Sequence, residues 1–583
     1  MIFSSIRAKY PRKFNITVIY TILNKVFDLA PPFLIGVAVD IVVKKEESLI
    51  AGFGIKDTWD QLVLVSILTV LVWALESFFE YLMEVGWREL AQTAQHDLRD
   101  EAFTHVLNLD LEQIESRSSG ELMSILNDDI NQLERFLNMG AYSMIQLCVT
   151  ISVIGTAFFI MAPEVAVFGM MPIPFIILGS LKFQKFLEPK YKSVRDQVGL
   201  LNSEFSNSIQ GIQTVKAFAN EALERDKISQ YSTAYMASNY SAIKISSLFT
   251  PLIRMLILCG FLVNLLYGGY LTLEGSLEVG TYSVLIFMIQ RLLWPLTTLG
   301  QMLDLFQRSN ASYRRVLDLL KIERKILSDQ TPFSPSDQSI EISDLYFSYS
   351  EREPLFEGID LKVNHGETVG LVGGTGSGKS TLVKIILRFY EGMSGRIRIG
   401  GIDIKELDIS SLRKNIGYVG QDVYLFHGTI LENIAYGSHE LSKEDTIEIA
   451  KLAEAHEFIT SLPKGYDTIV GERGHRLSGG QRQRISIARA LVKEPSILIL
   501  DEATSAVDNE TEAAIQRSLA RVKRGRTTII IAHRLSTVVD ADRIYVLEEG
   551  KIKQTGSHQE LIAQGGIYKD LWNVQTGSVS NSF

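Results

Sequence analysis

Gly373-Gly374-Thr375-Gly376-Ser377-Gly378-Lys379-Ser380 sits between an apolar run, Thr368 to Val372, and a helical pattern, so its glycines fall at a strand-to-helix turn. Glycine lets the backbone curl until its N–H groups converge on one anion, and the helix N-terminus adds the positive end of its dipole. In that geometry Lys379 reaches the β- and γ-phosphates of a nucleotide and Ser380 ligates Mg²⁺. A glycine-rich turn without function would need neither the lysine nor the preceding strand. Further along, Ile497-Leu498-Ile499-Leu500 ends in Asp501-Glu502. A buried strand delivering two carboxylates at its C-terminal edge suits Asp501 for the metal shell and Glu502 as the general base that polarises an attacking water. Without the phosphate loop, the same two acids would read as an ordinary turn.

Around this site lie 583 residues, about four times the usual length of one domain. Lys and Arg number 58 against 67 Asp and Glu, a net charge of −9, which argues against a protein that coats nucleic acid by neutralising phosphates. Hydrophobic residues make up 46% and charged ones 21%, which excludes disorder as the main state and places part of the chain in lipid. The two cysteines, Cys148 and Cys259, lie in apolar runs and match neither a disulfide framework nor zinc-ligand spacing.

Six apolar stretches precede the nucleotide motifs: roughly Phe14 to Val43, Leu62 to Val85, Tyr142 to Met161, Val165 to Phe186, Leu248 to Leu271 and Tyr282 to Leu303. Each reaches the ~20 residues a helix needs to cross ~30 Å of hydrocarbon. An even number of spans puts both ends on one side. Arg7, Lys9, Arg12 and Lys13 place that side in the cytoplasm by the positive-inside bias, and the long second-to-third and fourth-to-fifth connections then face it too. These connections are charged, helix-patterned and read as free of breakers, so membrane helices are expected to run on into water. The expected organisation is a six-helix α transmembrane domain at 1–325, a Ser/Pro/Asp-rich linker at 326–339, an α/β P-loop ATPase domain at 340–576 and a polar tail at 577–583. Strands are predicted at Glu341 to Tyr349, Thr368 to Val372, Ile497 to Leu500 and Thr528 to Ile531.

Leu477-Ser478-Gly479-Gly480-Gln481 resembles the signature of the ATP-binding-cassette (ABC) ATPases, and it falls 98 residues after Lys379 and 24 before Asp501. The resemblance extends over essentially the whole chain and is to the type IV exporter, or half-transporter, arrangement. By that likeness Tyr349 stacks on adenine, and Gln421 serves as the Q-loop glutamine at the metal and the transmembrane contact. Ser505-Ala506-Val507-Asp508 is similar to the D-loop, and His533 to the switch histidine at the γ-phosphate. Thr381, next to Ser380, joins the residues implied around the nucleotide. Thr468-Ile469-Val470-Gly471-Glu472-Arg473-Gly474 resembles the exporter-type loop that touches the coupling helices, which are implied near Asp110 to Gly120 and Asn207 to Val215. Two departures are Gly420 where proline is common and Val507 where leucine is usual; neither removes a catalytic group.

The signature's physics implies a pair of chains. A helix N-terminus offering the N–H groups of Gly479 and Gly480 and the Ser478 hydroxyl suits an anion, and in the family that anion is the γ-phosphate of ATP bound by the opposite cassette. Every element is intact in one chain, so the resemblance implies a homodimer with two complete sites; the degenerate site common in heterodimers is absent. The implied activity is Mg-ATP-driven export or flipping of an amphipathic or hydrophobic substrate, in a multi-pass protein of the plasma (inner) membrane with cassette and termini cytoplasmic. The alternative is an ATP-gated channel or regulatory subunit, against which the presence of Glu502 and Ser478 weighs. A soluble ABC ATPase acting on nucleic acid is excluded by the six spans. Within the second span, Glu76, Glu80 and Glu84 recur every four residues on one helical face. That face either pairs with a cation such as Lys25, Arg254 or Arg291, or attracts cationic substrates.

Overall fold

The computed structural model describes residues 2–326, 331–333, 337–349, 353–438, 441–501, 509–532 and 534–576, with only the backbone at 509–511. It divides into two compact units, one comprising Met1–Leu107 and Arg117–Ile322, the other Asn108–Ser116 and Glu323–Phe583.

The first unit is helical. Six stretches are long and apolar enough to cross a membrane: Pro11–Glu47, Thr58–Asn108, Ser119–Met161, Pro163–Gln210, Glu221–Leu273 and Val279–Leu320. Thr58–Asn108 is a single helix of 51 residues, about 75 Å at 1.5 Å per residue, so well over half of it extends beyond a ~30 Å hydrocarbon layer.

The first stretch is not one rod. It breaks into Pro11–Asp28 and Pro31–Lys44, because Pro31 and Pro32 lack the N–H groups a continuing helix would donate and suit only a new first turn. The last stretch is likewise interrupted by a 3₁₀ segment, Trp294–Thr298, which holds Pro295. The connection between the fourth and fifth apolar stretches also contains breakers, contrary to expectation. Pro189 lies inside the helix Pro172–Gln210, and that helix ends at Gly211 before a short one, Ile212–Ala217.

The unit's core joins Ile154, Phe158, Val165, Met288, Ile289 and Leu292, all fully buried. Small residues allow the closest approach, as lipid supplies little hydrophobic drive between helices. A Cβ on Gly36 would strike Val284 and stand 3.0 Å from the Gly280 carbonyl. Of the cations considered for Glu76, Lys25 and Arg291 lie near it but pair with Asp28, Lys25 at 2.6 Å, and Arg254 lies over the Trp294 ring at 5.3 Å. Glu84 pairs with Arg88, 2.9 Å away. Asp28 is three residues from Lys25 on the same helix, which makes it the nearer partner.

Among the described residues of the second unit ten strands form two sheets: β1 (Ile340–Phe347), β2 (Phe356–Val363), β3 (Thr368–Val372), β4 (Ser394–Ile399), β5 (Ile402–Asp403), β6 (Ile416–Val419), β7 (Ile497–Asp501), β8 (Thr527–Ile531), β9 (Arg543–Glu548) and β10 (Lys551–Gly556). The smaller sheet runs β2-β1-β4-β5 and is antiparallel. The larger runs β10-β9-β3-β8-β7-β6, parallel except for β10 at its edge. β3, β7 and β8 are buried at every residue, as befits central strands of a sheet covered on both faces.

The linker composition at 326–339 hides a packing residue. Phe333 is buried in the sheet core, its N–H donates to Ser411 Oγ at 2.7 Å, and Thr331 bridges to Leu407. The polar tail expected at 577–583 lies outside the described residues.

Candidate active site

The phosphate loop follows β3 and opens helix α1 (Lys379–Ile386). Gly378 is its N-cap at φ 103°, a conformation costly to any residue with a Cβ, and a Cβ there would strike the Phe356 ring. Gly374, Thr375 and Gly376 form the exposed rim, while Ser377 and Lys379 are buried. Lys379 is 5% exposed. Its Nζ donates to the carbonyls of Gly373 at 2.9 Å and Gly374 at 2.8 Å and lies 3.4 Å from Ser377 Oγ, so the ammonium is held inside the curl of the loop. Ser380 occupies the first turn of α1, half-buried, and Thr381 Oγ1 lies 2.9 Å from the Tyr349 hydroxyl.

Asp501 ends β7 and is 2% exposed. It is level with Ile531 of β8, which is level with Leu371 of β3. Asp501 therefore stands two strand spacings, about 9 to 10 Å, from the strand that feeds the loop, at the same C-terminal edge of the sheet. Val419 of β6 pairs with Leu500, so Gln421, exposed two residues beyond β6, emerges at that edge as well. On β6, partial desolvation pushes the phenol of the 37% exposed Tyr418 up to about 12, and the charges of Asp501 and Asp422 push in the same direction.

Among the described residues no group of three or more His, Cys, Asp or Glu side chains is placed to hold a metal ion. A Ser hydroxyl and a buried carboxylate at one sheet edge are nonetheless hard oxygen donors of the kind Mg²⁺ takes, one or two at a time, with phosphate oxygens and water completing the shell.

The signature forms the start of helix α2 (Gly479–Leu491). Ser478 is the N-cap: its Oγ accepts from the Gln481 N–H at 3.3 Å, and its own N–H donates to Gln481 Oε1 at 2.9 Å. This capping box explains the Ser-x-x-Gln spacing and engages the Gln481 amide locally. Ser478 is exposed, Gly479 half-buried and Gly480 buried, so the N-terminus of a 13-residue helix opens to solvent with its dipole intact. In the loop before it, Val470 N–H donates to the Gly428 carbonyl at 2.9 Å, and Glu472 and Arg473 are exposed.

Tyr349 packs nearly perpendicular to Phe347 at 5.0 Å and to Tyr390 at 5.2 Å. Glu502, Ser505, Ala506, Val507, Asp508 and His533 lie outside the described residues. Sequence reasoning missed Tyr390, which packs on Tyr349, and Glu115, which meets Tyr390 from 275 residues away. No local pattern marks either one.

These features define an ATP-binding transport protein, and the chain belongs to the ABC transporter family. Residues 14–296 match the ABC transporter transmembrane region and residues 356–505 the ABC transporter ATPase family. The chain is similar to the uncharacterized ABC transporter ATP-binding protein YwjA of Bacillus subtilis (strain 168), 34% identical over 99% of each chain. It also resembles the ATP-dependent lipid A-core flippase of Syntrophus aciditrophicus (strain SB), 33% identical over 97% of this chain and 96% of that one. Among solved structures it resembles a bacterial Atm1-family ABC exporter with ATP bound, with a TM-score of 0.84 and 27% identity, covering 99% of this chain and 100% of the other. The protein is an integral membrane ATPase of the ABC exporter type, with six apolar helices and one cassette fused in a single chain.

Proposed function

We propose that the protein works as a homodimer that exports or flips an amphipathic or hydrophobic substrate by alternating access, with Mg-ATP closing two cassettes and hydrolysis releasing them. The observation that carries this reading is the exposed N-terminus of α2, an anion site built from Ser478, whose hydroxyl caps the helix, and Gly479. It suits the γ-phosphate of a nucleotide held on a second cassette. Lys379, Ser380 and the loop N–H groups hold the phosphates, Ser380, Gln421 and Asp501 contribute oxygen to Mg²⁺, and Tyr349 packs on the base. Glu502 takes the proton of the attacking water, while His533 and Asp508 complete the site at the γ-phosphate and between the cassettes. The relatives named as a flippase and as an Atm1-family exporter support outward movement of substrate. The basic N-terminus supports a cytoplasmic cassette in a plasma (inner) membrane.

Complementation tests the shared site. Lys379→Ala and Ser478→Arg should each be inactive alone, yet co-expressed chains regain one intact site, with the loop of one and the signature of the other. No recovery of ATPase activity in the purified mixed dimer would rule out the arrangement. Ion current across a bilayer in place of stoichiometric, substrate-stimulated hydrolysis would indicate a gated channel.

A further inference from the structure

Helix α3 (Leu111–Glu115) lies in sequence between the second and third apolar stretches, yet it packs within the cassette unit. Asp110, buried, holds its start by accepting the N–H groups of Lys325 at 2.6 Å and Ile326 at 3.0 Å, and Leu111 rests on the sheet core. Glu115 at its end accepts the hydroxyl of Tyr390 and pairs with Lys384 of α1 at 3.1 Å. Tyr390 is 5% exposed, and its ring packs edge-to-face on Tyr349 at 5.2 Å and 83°. Tyr349 in turn reaches Thr381, one residue past Ser380.

An unbroken set of contacts thus runs from a carboxylate borne between two membrane stretches to the aromatic assigned to the nucleotide base. We propose that Glu115 is a positioning residue which, through Tyr390, sets the orientation of Tyr349 for binding ATP. A ring held only by packing can slide, whereas a hydroxyl anchored on a carboxylate fixes Tyr390, and the perpendicular contact passes that orientation to Tyr349. The inference rests on the reading of Tyr349 given above.

Four variants of the full-length protein in lipid, with Tyr349→Ala as a control, test it by steady-state ATPase kinetics and thermal unfolding. Tyr390→Phe keeps the ring and removes the hydroxyl; Glu115→Ala removes the acceptor. Each is expected to raise KM for ATP about three- to tenfold with kcat within about twofold, the size of one lost hydrogen bond. The double variant should be no worse than either, because both remove the same bond. Glu115→Gln keeps an acceptor and should stay near the parent KM. Unchanged KM in Tyr390→Phe and Glu115→Ala, beside a raised KM in a Tyr349→Ala control, overturns the positioning role. An equal fall in kcat with a lowered Tm does so as well, since it marks a purely structural contact. An unchanged KM in Tyr349→Ala would instead remove the reading of Tyr349 itself.

Discussion

Gly373 lies so close to Leu547 that a Cβ at position 373 would overlap the Leu547 carbonyl oxygen, whereas a Cβ on the next residue, Gly374, meets nothing within 4 Å. Two glycines of one motif are thus placed differently: the first is required by close packing at the foot of the loop, while the second borders open space where the proposed ligand would approach. Gly373→Ala is expected to cost about 1–3 kcal/mol and lower Tm in the absence of nucleotide. Gly374→Ala should leave the nucleotide-free Tm unchanged and weaken ATP binding alone. Differential scanning calorimetry with and without ATP separates the two effects.

Glu502→Gln should keep ATP binding while lowering turnover by about 10²- to 10⁴-fold, because an amide cannot take the proton of water. Lys379, Ser380 and Asp501 are untouched, so the cassettes should accumulate closed on ATP. Phosphate release and nucleotide retention by the purified variant check both halves of the statement, and parental hydrolysis would remove Glu502 from its role.

In the membrane unit, Asp28 takes both Lys25 and Arg291, which leaves Glu76 outside the ion pairs. Asp28→Asn is expected to lower Tm by several degrees, since it strands two cations. Glu76→Gln should leave Tm unchanged and abolish ATPase stimulation by cationic amphiphiles, with neutral compounds and basal activity unaffected. A lowered Tm in Glu76→Gln with uniform loss of stimulation would make it a packing residue.

Tyr418 adds an alkaline limit to stability. Its phenol is pushed up to about 12, chiefly by partial desolvation of a ring that is still 37% exposed, so the effect is damped by solvent, while an unfolded tyrosine ionises near 10. The folded state binds that proton more tightly, so its contribution is full below pH 10 and is lost as pH rises from 10 to 12. Tyr418→Phe should flatten the fall in Tm over that window, read by thermal unfolding at pH 9 and pH 11.

What could be read from sequence was local and contiguous. Residues 373–380 supply the loop, the helix start and the groups proposed to hold phosphate in one run, so their pattern is legible locally even though Leu547 and Phe356 pack against two of the glycines. The predicted strand at Thr368 to Val372 appears unchanged as β3, and those at Ile497 to Leu500 and Thr528 to Ile531 appear within a residue as β7 and β8. Long uninterrupted apolar runs likewise announced six spans, because hydrocarbon thickness sets a length any sequence must meet. The Pro31-Pro32 break was also present in the sequence, but an average over twenty apolar residues conceals two missing N–H groups.

Only the tertiary structure decided pairings between distant residues. Asp28, rather than Glu76, collects the cations because one turn of helix keeps it beside Lys25, whereas charge and depth made several partners equally plausible. Phe333 joins the core from a stretch whose composition is that of a linker, since burial depends on what lies opposite a residue and not on its neighbours in sequence. Glu115 meets Tyr390 across 275 positions. That contact exists because helix α3 packs with the cassette, and no periodicity along the chain encodes which element will cover which.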